Sequence, residues 1–473
     1  MRLLFVLALC SCADADATDT TAPGIDWTLG DALTWQARSP TSTFWETTDV
    51  AVVDNVAYTC TGVASLVLHN ISVPADMAPI KTLRFDGSNS RFPRCSHIDR
   101  KGDRMVVTSR RDEIQPRPWV ALLDVSDAAN PKILDEWSMP GDGVLEEGAI
   151  FNDQVYVAAP DEGVLVFDIS GGSLKQVETL TGLGRPARVS GGEHLWVGTT
   201  GGTVYELDAD HNRLSTTDVA ASVQALLELS DGRATVALGS SGLAVIEDGA
   251  VSQTVATKGT AVRLQMLEPG RILLANWTDL RVYDDVGGQL SLRAVDAVFQ
   301  ADDRPRHLAA AAGNGVVVDG EWSGIHTLTW DATVRASELT PSELLIAVAA
   351  DGEPKDVQLV ITNEGQLPLT ISKLDTPTGW SSDADLSTIE PHAERTIDLH
   401  FNGSESVTTR DLVIHSDDVD EPKIKIPLRT GSNRVFLGDE APVFTYTDLM
   451  GSGRHSLKEQ HGNVVLLSYF ATF

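Results

Sequence analysis

The strongest constraint on how this chain can fold is a pair of short apolar segments that recurs seven times. The second members of the pairs are Ser65 to Leu68, Val120 to Asp124, Val164 to Asp168, Val204 to Asp208, Leu243 to Glu247, Leu280 to Asp284 and Ile325 to Leu328. Each follows a partner: Val56 to Tyr58, Met105 to Val107, Val155 to Val157, Leu195 to Val197, Ala234 to Ala237, Ile272 to Leu274 and Val316 to Val318. From the second pair onward the second members are spaced by 44, 40, 39, 37 and 45 residues. Segments this short, joined by Gly- or Asp-containing turns and often closing on an acidic residue, read as strands. A four-stranded sheet of that length cannot bury both faces until neighbours stack on it. The period therefore predicts a seven-bladed β-propeller over residues 41–334.

Charge excludes some functions at once. The chain has 36 Lys+Arg against 67 Asp+Glu, a formal net charge of -31, and no run of basic residues. Such a field repels nucleic acid and makes a polybasic grip on anionic lipid equally unsuitable. Four cysteines in 473 residues fit neither a disulfide-dense scaffold nor a Cys-rich zinc array, so stability has to come from apolar cores.

At the start, Arg2 precedes the apolar run Leu3 to Leu9, far shorter than the roughly 20 residues a membrane-spanning helix needs. It reads as a signal peptide over residues 1–11. The following Leu9-Cys10-Ser11-Cys12 resembles the bacterial lipobox, which implies lipidation of Cys12 and attachment to the cell envelope, at the outer membrane or the periplasmic face. An ordinary cleaved secretory signal is the alternative. Ala13 to Pro23 hold almost nothing to bury, and residues 12–40 are expected to be a disordered tether. Membrane contact is expected through this lipid only. In the oxidising compartment that follows, Cys60 and Cys95 are candidates to pair across adjacent blades, two buried thiols being the other possibility.

Asp124-Val125-Ser126-Asp127-Ala128-Ala129-Asn130-Pro131, echoed by Val166-Phe167-Asp168-Ile169-Ser170, resembles the turn of LVIVD-type surface propeller repeats. Enzymatic propellers gather carboxylates or histidines at the channel mouth. Here His97, Asp99, His194 and His307 are scattered and read as solvated loop residues. Arg110 and Arg111 with Arg117 form the one local basic cluster, a charge-balancing loop or a contact for an acidic ligand. A protein-binding platform is the expectation for the ring.

After Trp330 the strands lengthen and alternate, as in Val357 to Ile361, Leu369 to Ile371, Arg395 to Leu399 and Leu412 to Ile414, the pattern of a β-sandwich over residues 335–431. Thr362 to Leu369, and Ile414 to Asp418 running on to Pro427-Leu428, resemble the abnormal-spindle and hydin type of immunoglobulin-like domain, which implies a spacer. The acidic stretch Asp417 to Glu421 lacks the central Gly and the bidentate Glu spacing of an EF-hand loop, and it reads as a hairpin turn rather than a calcium site.

Residues 432–473 hold Gly438-Asp439-Glu440-Ala441-Pro442-Val443-Phe444, Leu449-Met450-Gly451, Ser456-Leu457, Asn463-Val464-Val465-Leu466-Leu467 and Tyr469-Phe470-Ala471-Thr472-Phe473, in that order. The series resembles the opening of the redoxin branch of the thioredoxin fold. It implies an incomplete thioredoxin-like α/β segment in which Pro442 and Phe444 fix the first stretch, while Tyr469, Phe470 and Phe473 lead to the nucleophile loop. In that family the residue after Phe473 is the attacking cysteine, at a helix N-terminus that favours thiolate. No catalytic residue lies within residues 1–473, and no cofactor or metal is implied. The coincidence of the last residue with the nucleophile position suggests an in-frame selenocysteine codon; a frameshift, a contig edge and a decayed domain are the rivals. The fold class is thus mainly β: a seven-bladed propeller, an immunoglobulin-like sandwich and the start of a redoxin domain. Completed, the chain would carry out thiol-disulfide or peroxide chemistry on an unknown protein or thiol/disulfide substrate. Otherwise it would be a non-enzymatic binding lipoprotein.

Overall fold

The computed structural model describes residues 28–29, 32–39, 47–62, 65–85, 94–110, 117–141, 143–257, 259–277, 279–296, 309–312, 316–319, 324–342, 346–348, 352–383, 385–403, 408–418, 422–430, 445–447 and 454–456. Among these there is no α-helix, only a 3-10 turn at Pro74–Asp76.

Seven four-stranded antiparallel sheets follow one another along the described chain. Sheet 1 is Thr47–Val53, Val56–Thr61, Ser65–Asn70 and Ala78–Leu83; sheet 2 is His97–Lys101, Arg104–Thr108, Trp119–Asp124 and Lys132–Ser138. Sheet 3 is Gly148–Phe151, Gln154–Ala159, Gly163–Asp168 and Lys175–Leu180; sheet 4 is Pro186–Gly191, Leu195–Thr199, Thr203–Leu207 and Arg213–Asp218. Sheet 5 is Ala225–Glu228, Ala234–Ala237, Leu243–Glu247 and Ala250–Val255; sheet 6 is Arg263–Glu268, Arg271–Ala275, Leu280–Val286 and Gln289–Asp296. Sheet 7 joins Ala309–Ala312, Val316–Asp319 and Ile325–Trp330 to an outermost strand from the other end of the chain, Leu33–Arg38. The first strand of each sheet touches the first strand of the next, and that of sheet 7 returns to sheet 1. The ring is a β-propeller.

Side chains alternate across a strand, so a strand with a neighbouring sheet on each face needs apolar residues at every position. In the second strand of sheet 3, Val155, Val157 and Ala159 pack toward sheet 2, while Tyr156 and Ala158 pack toward sheet 4. One apolar cluster lies between each pair of adjacent sheets around the ring. The acidic residue that closes third strands has a local cause. Asp124 Oδ1 accepts the Ser126 amide at 3.0 Å and Asp168 Oδ1 that of Ser170 at 2.9 Å, turning the chain into the fourth strand. Gly163 and Gly242, at the opposite end of the third strand where the chain enters it, have φ of +124° and +78°. A Cβ there would sit 2.2 Å from Leu180 O or 2.1 Å from Val255 O, so only glycine lets the fourth strand close in.

The expected tether over residues 12–40 needs correction, because Leu33–Arg38 is part of the ring. It pairs antiparallel with Ile325–Trp330, Leu33 opposite Trp330 and Arg38 opposite His326. Its apolar end, Leu33, is fully buried, which disorder would forgo. Cys60 and Cys95 are joined by a disulfide, Cα to Cα 5.0 Å, that links sheet 1 to the segment entering sheet 2. Cys12, the Arg111 side of the basic insert and His307 lie outside the described residues.

Two further four-stranded sheets form a sandwich. One has the order Leu339–Pro341, Lys355–Asn363, Glu394–Phe401, Trp380–Ser382, and the other Ile346–Val348, Lys423–Thr430, Thr408–Ser416, Ile371–Asp375. Leu359, Ile361, Ile397 and Leu399 from the first meet Ile371, Leu412, Ile414 and Ile426 from the second. Asp418 is buried and accepts the Leu339 amide at 2.7 Å, and Asp417 accepts that of Thr370 at 2.7 Å. These carboxylates tie strands together, as a hairpin reading requires. The sandwich is docked on the propeller: the buried Arg281 guanidinium donates to Asp279 Oδ1 at 2.7 Å and to both Glu364 oxygens at 3.1 and 3.0 Å. Arg293 adds bonds to Gln366 and to the carbonyls of Ala332 and Val334.

The α/β expectation for residues 432–473 is corrected for the part that is described. Thr445–Thr447 and Arg454–Ser456 form a two-stranded antiparallel hairpin, on either side of Leu449-Met450-Gly451. Among the described residues of this stretch there is no helix, which does not fit an α/β segment. Pro442, Phe444, Tyr469, Phe470 and Phe473 lie outside the described residues.

Two buried histidines hold the closing strand. Trp35 Nε1 donates to His326 Nδ1 at 3.3 Å, and Ser39 Oγ lies 3.3 Å from His69 Nε2. Burial lowers the His69 pKa to about 4; burial and then Arg38 lower that of His326 to about 3. A histidine with a depressed folded pKa is protonated first in the unfolded chain, so its contribution is complete above about pH 6.5 and falls as the pH drops toward the folded value. Each histidine is expected to remove about 1.4 kcal/mol per pH unit below about pH 6.5. Urea unfolding between those limits should show the summed slope, and His326→Gln, which keeps an acceptor for Trp35, should reduce it by about half.

Candidate functional site

The first strands all begin at one end of the ring, where a cavity of about 470 Å³ opens. Its wall is built from residues at or just before those strands, including His97, Glu147, Arg188, Gln224 and Arg263, and from the turn after the second strand of sheets 2 and 6, which adds Arg110 and Trp277. Each contributing segment is about one repeat from the next along the chain, and ring closure brings them together.

Buried carboxylates organise the wall. Asp49 Oδ2 accepts the Ile98 amide of sheet 2 at 2.9 Å and lies 2.6 Å from His97 Nδ1; Oδ1 accepts the Val50 amide at 3.0 Å and lies 3.9 Å from Arg263 Nε. Burial pushes the Asp49 pKa up, but His97, Arg263 and the Ile98 amide outweigh it and hold the carboxyl below its ordinary range. Burial also opposes charge on His97, and Glu147 and Asp49 overcome it, so that pKa is raised. Glu147 and Asp49 thus favour the protonated form of His97.

Glu147 accepts from Arg263 Nη1, with Arg188 Nε 3.4 Å and His97 Nδ1 4.0 Å away. Glu146 accepts from Arg110 Nη2 at 2.8 Å and stands 3.8 Å from Arg188 Nη1. Arg188 also donates to the carbonyls of Gln224 at 2.5 Å and Ala187 at 3.0 Å. Its pKa is lowered by burial, with Arg263 and Arg110 adding repulsion against the pull of Glu147 and Glu146. Trp277, on the rim, has φ +63°, a left-handed conformation that is costly for a bulky side chain and that functional sites tolerate more than other places do.

The expectation of only scattered candidates is thus corrected: His97 and Arg110 converge with Asp49, Glu146, Glu147, Arg188 and Arg263. Asp99 is a latch instead, its Oδ2 accepting the Ile150 amide of sheet 3 at 2.7 Å. His194 is outside the cavity wall, 3.3 Å from Glu206 and near the Glu228 carboxylate that binds its own amide. Arg117 is described but is not in the wall. Sequence reasoning missed the remaining charged residues because their common signal is positional, a polar residue at or near the start of the first strand in sheets 1 to 6. Among the described residues no group of three or more His, Cys, Asp or Glu is placed to hold a metal ion.

Removing one partner from a buried, hydrogen-bonded ion pair leaves the others uncompensated. Asp49→Ala is expected to cost about 3–5 kcal/mol, read as a lower urea midpoint at unchanged slope. A loss below about 1 kcal/mol, the level of an exposed pair, would contradict this account of the wall.

No family model matches the sequence, and no curated protein matches it. Solved structures that resemble it include one described as the mitotic checkpoint complex, at 12% identity and TM-score 0.47, covering 65% of this chain and 97% of that one. The WD40 β-propeller domain of Doa1 matches at 11% identity and TM-score 0.48, covering 65% and 98%. The computationally designed Ika8 protein matches at 12% and 0.44, covering 64% and 100%. At these identities the likeness is one of fold.

Proposed function

We propose that this protein is an extracytoplasmic binding protein, held at the cell envelope through lipid on Cys12, whose seven-bladed propeller receives a ligand or partner at the axial cavity. The observation that carries this reading is the convergence there of charged side chains from five sheets, supported by buried carboxylates that hold them in place. Charged side chains held in one geometry by buried partners are what pre-organised recognition needs. The immunoglobulin-like sandwich acts as a rigid extension of the ring, since the Arg281 and Glu364 bonds tie the two together.

A second reading adds redox chemistry. The ordered redoxin-like motifs from Gly438 to Phe473, with the strand pair Thr445–Thr447 and Arg454–Ser456 flanking Leu449-Met450-Gly451, support a thiol-disulfide or peroxide reductase if a nucleophile follows Phe473.

The binding reading is tested by placing a photo-crosslinking amino acid at Trp277, on the cavity, or at Val286, which is 66% exposed at the opposite end of sheet 6, in the native host. An adduct of one defined mass at position 277 and none at 286 is expected. Equal adducts at both positions, or none at 277, would contradict it.

A further inference from the structure

The charge arrangement around the cavity says what kind of group enters it, given the binding reading above. Four arginines, Arg94, Arg110, Arg188 and Arg263, and the His97 ring stand around three carboxylates, Asp49, Glu146 and Glu147. The carboxylates are already committed. Asp49 takes two backbone amides and the His97 ring, Glu147 lies among Arg263, Arg188 and His97, and Glu146 between Arg110 and Arg188. A cationic ligand would have to displace a guanidinium to reach any of them.

Arg188 is less fully engaged. An arginine presents five N–H groups in a planar fork. Arg188 directs Nε and Nη1 to the neutral carbonyls of Gln224 and Ala187, and its distances to the two glutamates are 3.4 and 3.8 Å. Its charge is only partly met, and Arg263 and Arg110 crowd it with like charge. An oxyanion placed among the three would relieve that repulsion and accept charge-assisted bonds.

We propose that the axial cavity is a receptor site for the oxyanion group, a carboxylate or a phosphate, of a small acidic ligand held by Arg110, Arg188 and Arg263. Two observations limit the ligand to a small one. The cavity volume of about 470 Å³ is in the range of small-molecule sites. The chain as a whole carries a formal charge of -31, so a long polyanion would be repelled everywhere outside this pocket. Trp277 supplies a flat apolar surface beside the charges, suited to the remainder of the ligand.

Calorimetric titration of the full chain with citrate and, separately, with pyrophosphate at low ionic strength tests this. One-to-one binding of at least one probe is expected, with citrate alone indicating a carboxylate ligand and pyrophosphate alone a phosphate ester. Arg188→Met should weaken that binding at least about tenfold, as loss of hydrogen bonds to a charged group does. Arg110→Ala, on a side chain 60% exposed and so outside the packed core, should weaken it in the same direction. Absence of binding by either probe to a chain with a normal unfolding transition overturns the inference, as does binding that Arg110→Ala leaves unchanged. If neither probe binds while the adduct at position 277 persists, the oxyanion assignment falls and the binding reading stands. If the adduct is also absent, both fall.

Discussion

The ring is closed by a single antiparallel strand pair, Leu33–Arg38 on Ile325–Trp330, and the rest of the molecule depends on it. Sheets 1 to 6 are each made from consecutive strands, whereas sheet 7 takes its outermost strand from residues about 290 positions earlier in the chain. Without that strand, Ile325–Trp330 would be an open edge with unpaired backbone groups. The closure is reinforced from both sides. The Ser39 amide donates to Ile325 O at 2.9 Å, and Thr327 Oγ1 donates to Pro74 O at 2.6 Å, beside sheet 1. Neutral His326 and His69 sit within this seam, which ties its strength to pH.

A closed circle also explains why charge is tolerated at the axis. Carboxylates and arginines from different sheets meet in a partly buried space, where an unpaired charge is costly and a paired, hydrogen-bonded one is held in a single geometry. Asp49 and Asp99 each bind the backbone amide of the next sheet's first strand, so the same side chains that line or support the cavity also lock neighbouring sheets in register. The disulfide between Cys60 and Cys95 adds a covalent tie at the same place, Cys95 itself being part of the cavity wall. Recognition and ring stability therefore share residues. Across the ring, the Arg281 and Glu364 pair uses the same device to fasten the sandwich.

The sequence shows the second and third strands of every sheet, and the reason is burial. Runs such as Val155 to Val157 and Val164 to Phe167 are covered on both faces and so are apolar throughout. The first strands of sheets 1 to 6 have polar residues at or near the cavity end, as in His97-Ile98-Asp99, and the fourth strands are largely exposed, as in Lys175–Leu180. Neither has a strong period. The acid at the end of the third strand was visible as a pattern, and its Asx turn gives the cause. Leu33–Arg38 escaped because its partner is remote, and the cavity escaped because each contributor is isolated in the sequence, Arg188 and Arg263 being 75 positions apart. The sandwich strands, which alternate with one face in the core, are legible; Glu364 and Gln366 lie within the Thr362 to Leu369 stretch, but their partners Arg281 and Arg293 lie in the propeller.

Native-state hydrogen exchange on the amides of Leu33–Arg38 tests the dependence on ring closure most directly. If the strand completes the ring, its amides exchange with the same free energy of opening as those of Ile325–Trp330 and of the central strands of sheets 1 and 7. Exchange at a far lower free energy, as from a fraying terminus, while Ile325–Trp330 stays protected, would contradict the account.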